Sequence, residues 1–189
     1  KYQARLIVGA DSTAVDFNIL KDPRSSADQS DLEIQFEYLR TIRDKLTETH
    51  VSIKQIREIR DQVDQILSRV ETREDAESVR TSGNSMLEKI STIEQALYQT
   101  KNKSGQDPLN YPIRLNNKLA AVGSVAARGD FRPTSQSIEV RDELTAMINT
   151  ELEAYRVILD TDLPQFNDLV RNLAIPAIVI EEKKAPPAQ

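Results

Sequence analysis

The chain has 189 residues, no cysteine and a formal net charge of −5. Lack of Cys excludes disulfides, thiolate chemistry and any Cys-based zinc site. The acidic balance leaves no basic stripe for nucleic acid and no polybasic segment for an anionic membrane.

Gly is scarce, at 5 residues, while charged residues reach 29% and hydrophobic ones only 39%. Straight side chains lose little rotamer freedom in a helix, so this composition favours long helices around a thin core. No apolar run approaches the ~20 residues needed to span a bilayer.

The first residues read as β structure. Tyr2, Ala4, Leu6 and Val8 alternate with polar positions, Gly9 to Ser12 offers a turn, and Val15, Phe17 and Ile19 alternate again. Two alternating runs around a turn predict a hairpin. A lone hairpin is marginal in water. Residues 1–22 are therefore read as a remnant of a β-sandwich, with a hairpin lying on the helices as the simpler alternative.

Residues 23–173 are predicted to form an antiparallel bundle of long helices arranged as helical hairpins, which makes the fold mainly α. After Pro23, the residues Ser25, Ser26 and Asp28 are candidate caps. Leu39, Ile42, Leu46, Thr49, Ile53, Ile56, Arg60, Val63, Leu67 and Val70 then recur at three- and four-residue steps. This a/d seam has two polar interruptions, Thr49 and Arg60. A helix from Asp28 to Val70 would be roughly 60 Å long and must pair lengthwise with others.

Thr72 is read as the next cap, with Asp75 near the capping-box position. Val79, Gly83, Met86, Ile90, Ile93 and Leu97 continue the spacing on a second helix, where Gly83 permits close backbone approach. An irregular crossing follows through Pro112, then a helix from about Ile113 to Ala127. Thr134 caps a fourth helix to about Asp160, and Leu163-Pro164 restarts a short one, since Pro is accepted in a first turn. Residues 174–189 are predicted as a strap or a third strand, through Ile178-Val179-Ile180, followed by a charged, Pro-rich tail that reads as disordered.

No residue pattern forms a reacting site. His50 is the one histidine and lacks the partners of a zinc set, so it reads as a helix-surface imidazole. Glu71, Glu74, Asp75 and Glu77 could form a cation or acid/base site, but anions gather at helix starts because of the dipole. Asp160 and Asp162 read as a helix end and a cap. Arg60 reads as a stem lying on the core with its guanidinium in water. Arg114 interrupts an apolar stripe in a more unusual setting. No Gly-rich phosphate loop, zincin pattern or EF-hand loop is present, and no cofactor or metal is expected.

Four stretches carry a resemblance. They are Leu20-Lys21-Asp22-Pro23-Arg24, Arg43-Asp44-Lys45-Leu46 before Glu48-Thr49-His50, Asp107-Pro108-Leu109-Asn110-Tyr111-Pro112-Ile113-Arg114-Leu115-Asn116-Asn117-Lys118-Leu119, and Gly129-Asp130-Phe131-Arg132-Pro133-Thr134. In this order the chain resembles the carboxy-terminal region of bacterial sortilin-like β-propeller proteins, often labelled BNR-repeat or glycosyl-hydrolase-like.

The resemblance implies a larger, exported parent with propeller blades ahead of this segment. The hydrolase label would belong to those blades, so no catalytic residue is carried onto this chain. The expected role is a structural or interaction module joined to an upstream β-propeller or β-sandwich of the same polypeptide, with a docked protein partner also open. The expected structural motif comprises Asp107, Pro108, Tyr111, Pro112, Arg114, Asn116, Asn117, Asp130, Arg132 and Pro133. Within it Tyr111, Pro112 and Ile113 would staple the crossing to the bundle, and Asn116 and Asn117 would satisfy backbone groups. Two alternatives stand beside this reading. One is a glycan-active hydrolase using carboxylates ~5–10 Å apart in a concave surface. The other is a coiled-coil adaptor that dimerises through the first helix.

Overall fold

The computed structural model describes residues 2–175. The predicted residues Ile178-Val179-Ile180 and the tail lie outside the described residues.

β1 (Tyr2–Val8) and β2 (Asp11–Phe17) form an antiparallel hairpin pairing Tyr2 with Phe17 and Val8 with Asp11. Gly9 opens the two-residue loop at φ 62°, a conformation that Gly adopts without a Cβ penalty. The register places Tyr2, Ala4, Leu6, Val8, Thr13, Val15 and Phe17 on one face, with Asp11 at its loop end. The Tyr2 and Phe17 rings stack there with centroids 5.8 Å apart.

α1 (Gln29–Arg69) is one unbroken helix of 41 residues, about 60 Å long at 1.5 Å per residue. Asp28 and Asp31 close a reciprocal capping box at its start, satisfying two backbone donors that a helix end leaves free. α2 (Glu77–Leu97) runs back along it after a short 3₁₀ turn at Glu74–Ala76. α3 (Leu115–Ala126) continues down the first half of α1 after the crossing. α4 (Ser135–Val157) runs forward again, with Thr134 Oγ1 accepting from the Ser137 amide as its cap.

Helix α5 (Leu163–Asn172) follows α4 without a break, through a single π-helical turn at Ile158–Asp162. This differs from the predicted end and restart, and Pro164 supplies the reason. Its nitrogen cannot donate, and its ring would crowd the carbonyl four residues back. The wider π turn accommodates both effects while the helix continues.

The result is an up-down-up bundle of three arms: α1, then α2 and α3 in line, then α4 and α5 in line. The seam read from sequence is its core. Ile42, Ile53, Ile56, Val63, Val79, Met86, Ile90, Leu97, Leu119, Ile148, Leu152 and Phe166 are buried. Each such side chain contributes roughly 1.5–3 kcal/mol relative to exposure. Where three arms meet at Gly83, an added Cβ would lie 2.8 Å from Leu67 Cδ2 and 3.0 Å from Phe166 Cε2.

Both polar interruptions of the seam are resolved inside the bundle. Thr49 is fully buried, and its hydroxyl donates to the Lys45 carbonyl at 2.8 Å. Arg60 does not place its guanidinium in water as expected. It pairs with Glu94 Oε2 at 2.5 Å, while Arg57 Nε holds Glu94 Oε1 at 2.7 Å. Glu94 is 2% exposed; burying this carboxylate between two arginines satisfies both its oxygens.

Two further expectations need correction. Thr72 is not a helix cap: the position before the 3₁₀ turn is Arg73, and no side chain caps α2. Instead Arg80 Nη1 donates to the Val70 and Arg73 carbonyls at 3.0 and 2.6 Å, serving the groups left free where α1 ends. Asp162 does not cap α5 either. Its carboxylate reaches across to Lys89 Nζ at 2.6 Å and ties α2 to the π turn.

Candidate functional site

Three places present something other than a packed core. The first is the hairpin. All residues of both strands are exposed, and neither strand approaches any helix. Leu6, Val8 and Val15 are 63%, 67% and 63% exposed, although the register collects them on one apolar face. Both outer strand edges carry unpaired backbone groups among the described residues.

The second place is the break in the middle arm, residues 98–114. Asp107 organises its first part. Its carboxylate accepts from the Ser104 amide at 2.7 Å and the Ser104 hydroxyl at 2.9 Å, and also from the Lys103 amide. These donors hold it below the usual carboxylate range, the Lys103 amide contributing most. Pro108 sits second in a single 3₁₀ turn, Asp107–Leu109. Lys101 lies over the Tyr111 ring, 5.7 Å from its centroid.

The stapling expected of Tyr111, Pro112 and Ile113 falls to a residue that the sequence did not single out. Gln99 is 4% exposed, and its Nε2 donates to the Pro112 carbonyl at 2.8 Å. Ile113 stands 43% exposed. Asn116 is buried, but its amide nitrogen faces His50 Nε2 at 3.3 Å rather than a backbone group. Asn117 points outward on α3. His50 is thus a surface imidazole with a buried amide beneath it.

The motif around the next loop ties the ends of α1 and α3 together. Arg132 Nε reaches Asp31 Oδ1 at 3.1 Å, and Pro133 is buried. Gln35 Nε2 donates to the Ala126 and Gly129 carbonyls at 2.7 and 2.6 Å, closing the end of α3. Asp130 is exposed. Of the sequence motif, then, Asp107, Tyr111, Pro112, Arg114 and Asn116 share the crossing, while Arg132 and Pro133 belong to the other end of α3.

The third place is the groove that α4 forms with the middle arm, against α3 in one part and α2 in the other. One part, of about 360 Å³, is lined by Ala96, Arg114, Leu115, Lys118, Met147 and Glu151. A second part, of about 630 Å³, begins at Glu151 and runs past Ile93 and Val157 to the Lys89–Asp162 bridge. Arg114 caps no amide of α3, and its Nε is buried without a hydrogen-bond partner. Burial pushes the Glu151 carboxyl above its ordinary value.

Two of the four acids weighed at the start of α2, Asp75 and Glu77, are held by arginines of the same turn. Asp75 pairs with Arg73 at 2.7 Å and Glu77 with Arg80 at 2.7 Å, and each carboxyl is lowered chiefly by the arginine it accepts from. Among the described residues, no three His, Cys, Asp or Glu side chains gather to hold a metal ion. No described helix is long and apolar enough to cross a membrane.

No protein-family model, curated protein or solved structure matches this chain.

Proposed function

We propose that this chain is a non-catalytic structural and interaction module of a larger, exported sortilin-like β-propeller protein. In this reading the hairpin is the attachment element. Its apolar face packs against a β-propeller or β-sandwich of the same polypeptide. The three-arm bundle is a stiff arm that braces it and presents a surface to a protein partner.

The observation that carries the reading is the bare face of Tyr2, Leu6, Val8, Val15 and Phe17. A two-stranded hairpin needs further strands or a packed layer for stability. Exposed apolar patches with unpaired edges are what sheets present at their interfaces. The helical bundle beside it already buries its own seam and offers the hairpin no cover.

Amide exchange tests the proposal. In this chain alone, the Leu6 and Val15 amides exchange within the dead time. In the parent protein the same amides gain strong protection while α1 is unchanged. Equal protection in both settings would remove the attachment role, as would a parent gene without repeated β sequence ahead of Lys1.

A further inference from the structure

The groove between α3 and α4 holds two charges that the bundle leaves unanswered. Arg60, Arg73, Arg80 and Arg141 are half-buried, and each pairs with a carboxylate. Arg114 is the half-buried arginine that forms no ion pair among the described residues. Glu151, on the facing wall, is half-buried, and among the described residues no cation reaches it within 4.0 Å.

Half-burying an ion without a counter-charge is unfavourable, yet these two stand across one cleft without meeting. Lys118, one turn along α3 from Arg114, adds a second cation to the same wall. Between the walls lie Ala96, Leu115 and the half-exposed Met147. Opposite charges separated by an apolar floor match a ligand that carries both charges on a short frame. A volume of about 360 Å³ falls at the small-molecule end of binding pockets.

We propose that this cleft binds a small zwitterion of the α-amino-acid class with an apolar side chain. Its carboxylate is held by Arg114 and Lys118, its ammonium by Glu151, and its side chain rests on Ala96, Leu115 and Met147. The Arg114 guanidinium supplies a planar fork for a carboxylate. This site is independent of the hairpin and of what covers it.

The test is a titration of the full, isotope-labelled chain with L-leucine and with L-phenylalanine, followed by amide chemical shifts. N-acetyl-leucine and leucinamide, each lacking one charge, are titrated alongside. Saturable shifts at Leu115, Lys118, Met147 and Glu151 are expected with the free amino acids, and affinity about tenfold weaker or worse with either blocked analogue. Arg114→Gln and Glu151→Gln, with helix content verified by circular dichroism, are expected to weaken leucine binding by a similar factor, and Arg114→Lys by less. No shift at the cleft with either amino acid in the millimolar range overturns the proposal, and so does affinity indifferent to blocking or to these substitutions. If a variant fails to fold, the comparison of free and blocked leucine on the native chain decides alone.

Discussion

At the residue scale, the bundle depends on one buried carboxylate. Glu94 holds Arg57 and Arg60 on α1, and the Arg57 guanidinium also lies 5.0 Å over the Tyr98 ring. Breaking a buried pair costs about 3–5 kcal/mol. Here Arg57 is 47% and Arg60 28% exposed, so both can turn toward water when the acid is gone. Glu94→Ala is therefore expected to lose about 2 kcal/mol in urea unfolding; a loss under about 0.5 kcal/mol would show that the pairs contribute little. Glu151 behaves oppositely. Its carboxyl is raised by burial, so the folded state prefers the proton more than the unfolded state does. Stability on its account rises as pH falls through the folded value and levels off below the ordinary Glu value. Glu151→Gln should then stabilise the chain at neutral pH and bring no gain in acid, where both side chains are neutral. Thermal unfolding at the two pH values reads this directly. His50→Gln, which keeps a polar partner over Asn116, is expected to leave the unfolding midpoint unchanged within about 0.5 kcal/mol.

At the element scale, the sequence was informative where signals are local. Of the caps it names, Asp28 and Thr134 accept the amides of Asp31 and Ser137, whereas Thr72 and Asp162 cap nothing, because their helices start from a 3₁₀ turn and a π turn. Asp28→Ala and Thr134→Ala should each cost about 1 kcal/mol. Chevron kinetics would assign the loss to folding or unfolding. The seam from Leu39 to Val70 was equally legible, because a period of three and four residues needs no knowledge of the partner arm. What stayed hidden was every group satisfied from a distance. Gln99 and Gln35 give no sign in sequence that their amides close a crossing and a helix end. Arg80 cannot be told from a surface arginine until α1 is seen to end beneath it. The π turn was missed for a related reason. Pro164 announces a disturbance, but whether the chain breaks or bulges depends on the packing that surrounds it, here Phe166 against Gly83 and Leu67. The cleft combined both cases. Arg114 stood out by interrupting an apolar stripe, whereas Glu151 is one acid among 30 until α4 places it opposite.

At the scale of the molecule, the hairpin and the bundle obey different physics. The bundle is a closed object: its three arms share one seam, and each arm's apolar stripe faces the other two. The hairpin contributes nothing to that seam. Its strands touch only each other, and the nearest tether to the bundle is Lys21, whose ammonium donates to the Ser25 and Ala27 carbonyls ahead of α1. If the apolar face were meant to fold onto the helices, the two parts would melt together, and removing one would expose the other. If the face is meant for another β layer, the bundle is indifferent to it. Deleting residues 2–20 while keeping Lys21 separates these cases. The expected outcome is a shortened chain with its melting temperature within about 2 °C of the intact one, since a whole 1 kcal/mol would move a protein of this size by about 2–4 °C. Its solubility should rise as well, because the exposed strand edges and apolar face are gone. A drop well beyond that margin would mean that the hairpin does pack on the helices, and the attachment role would lose its physical basis.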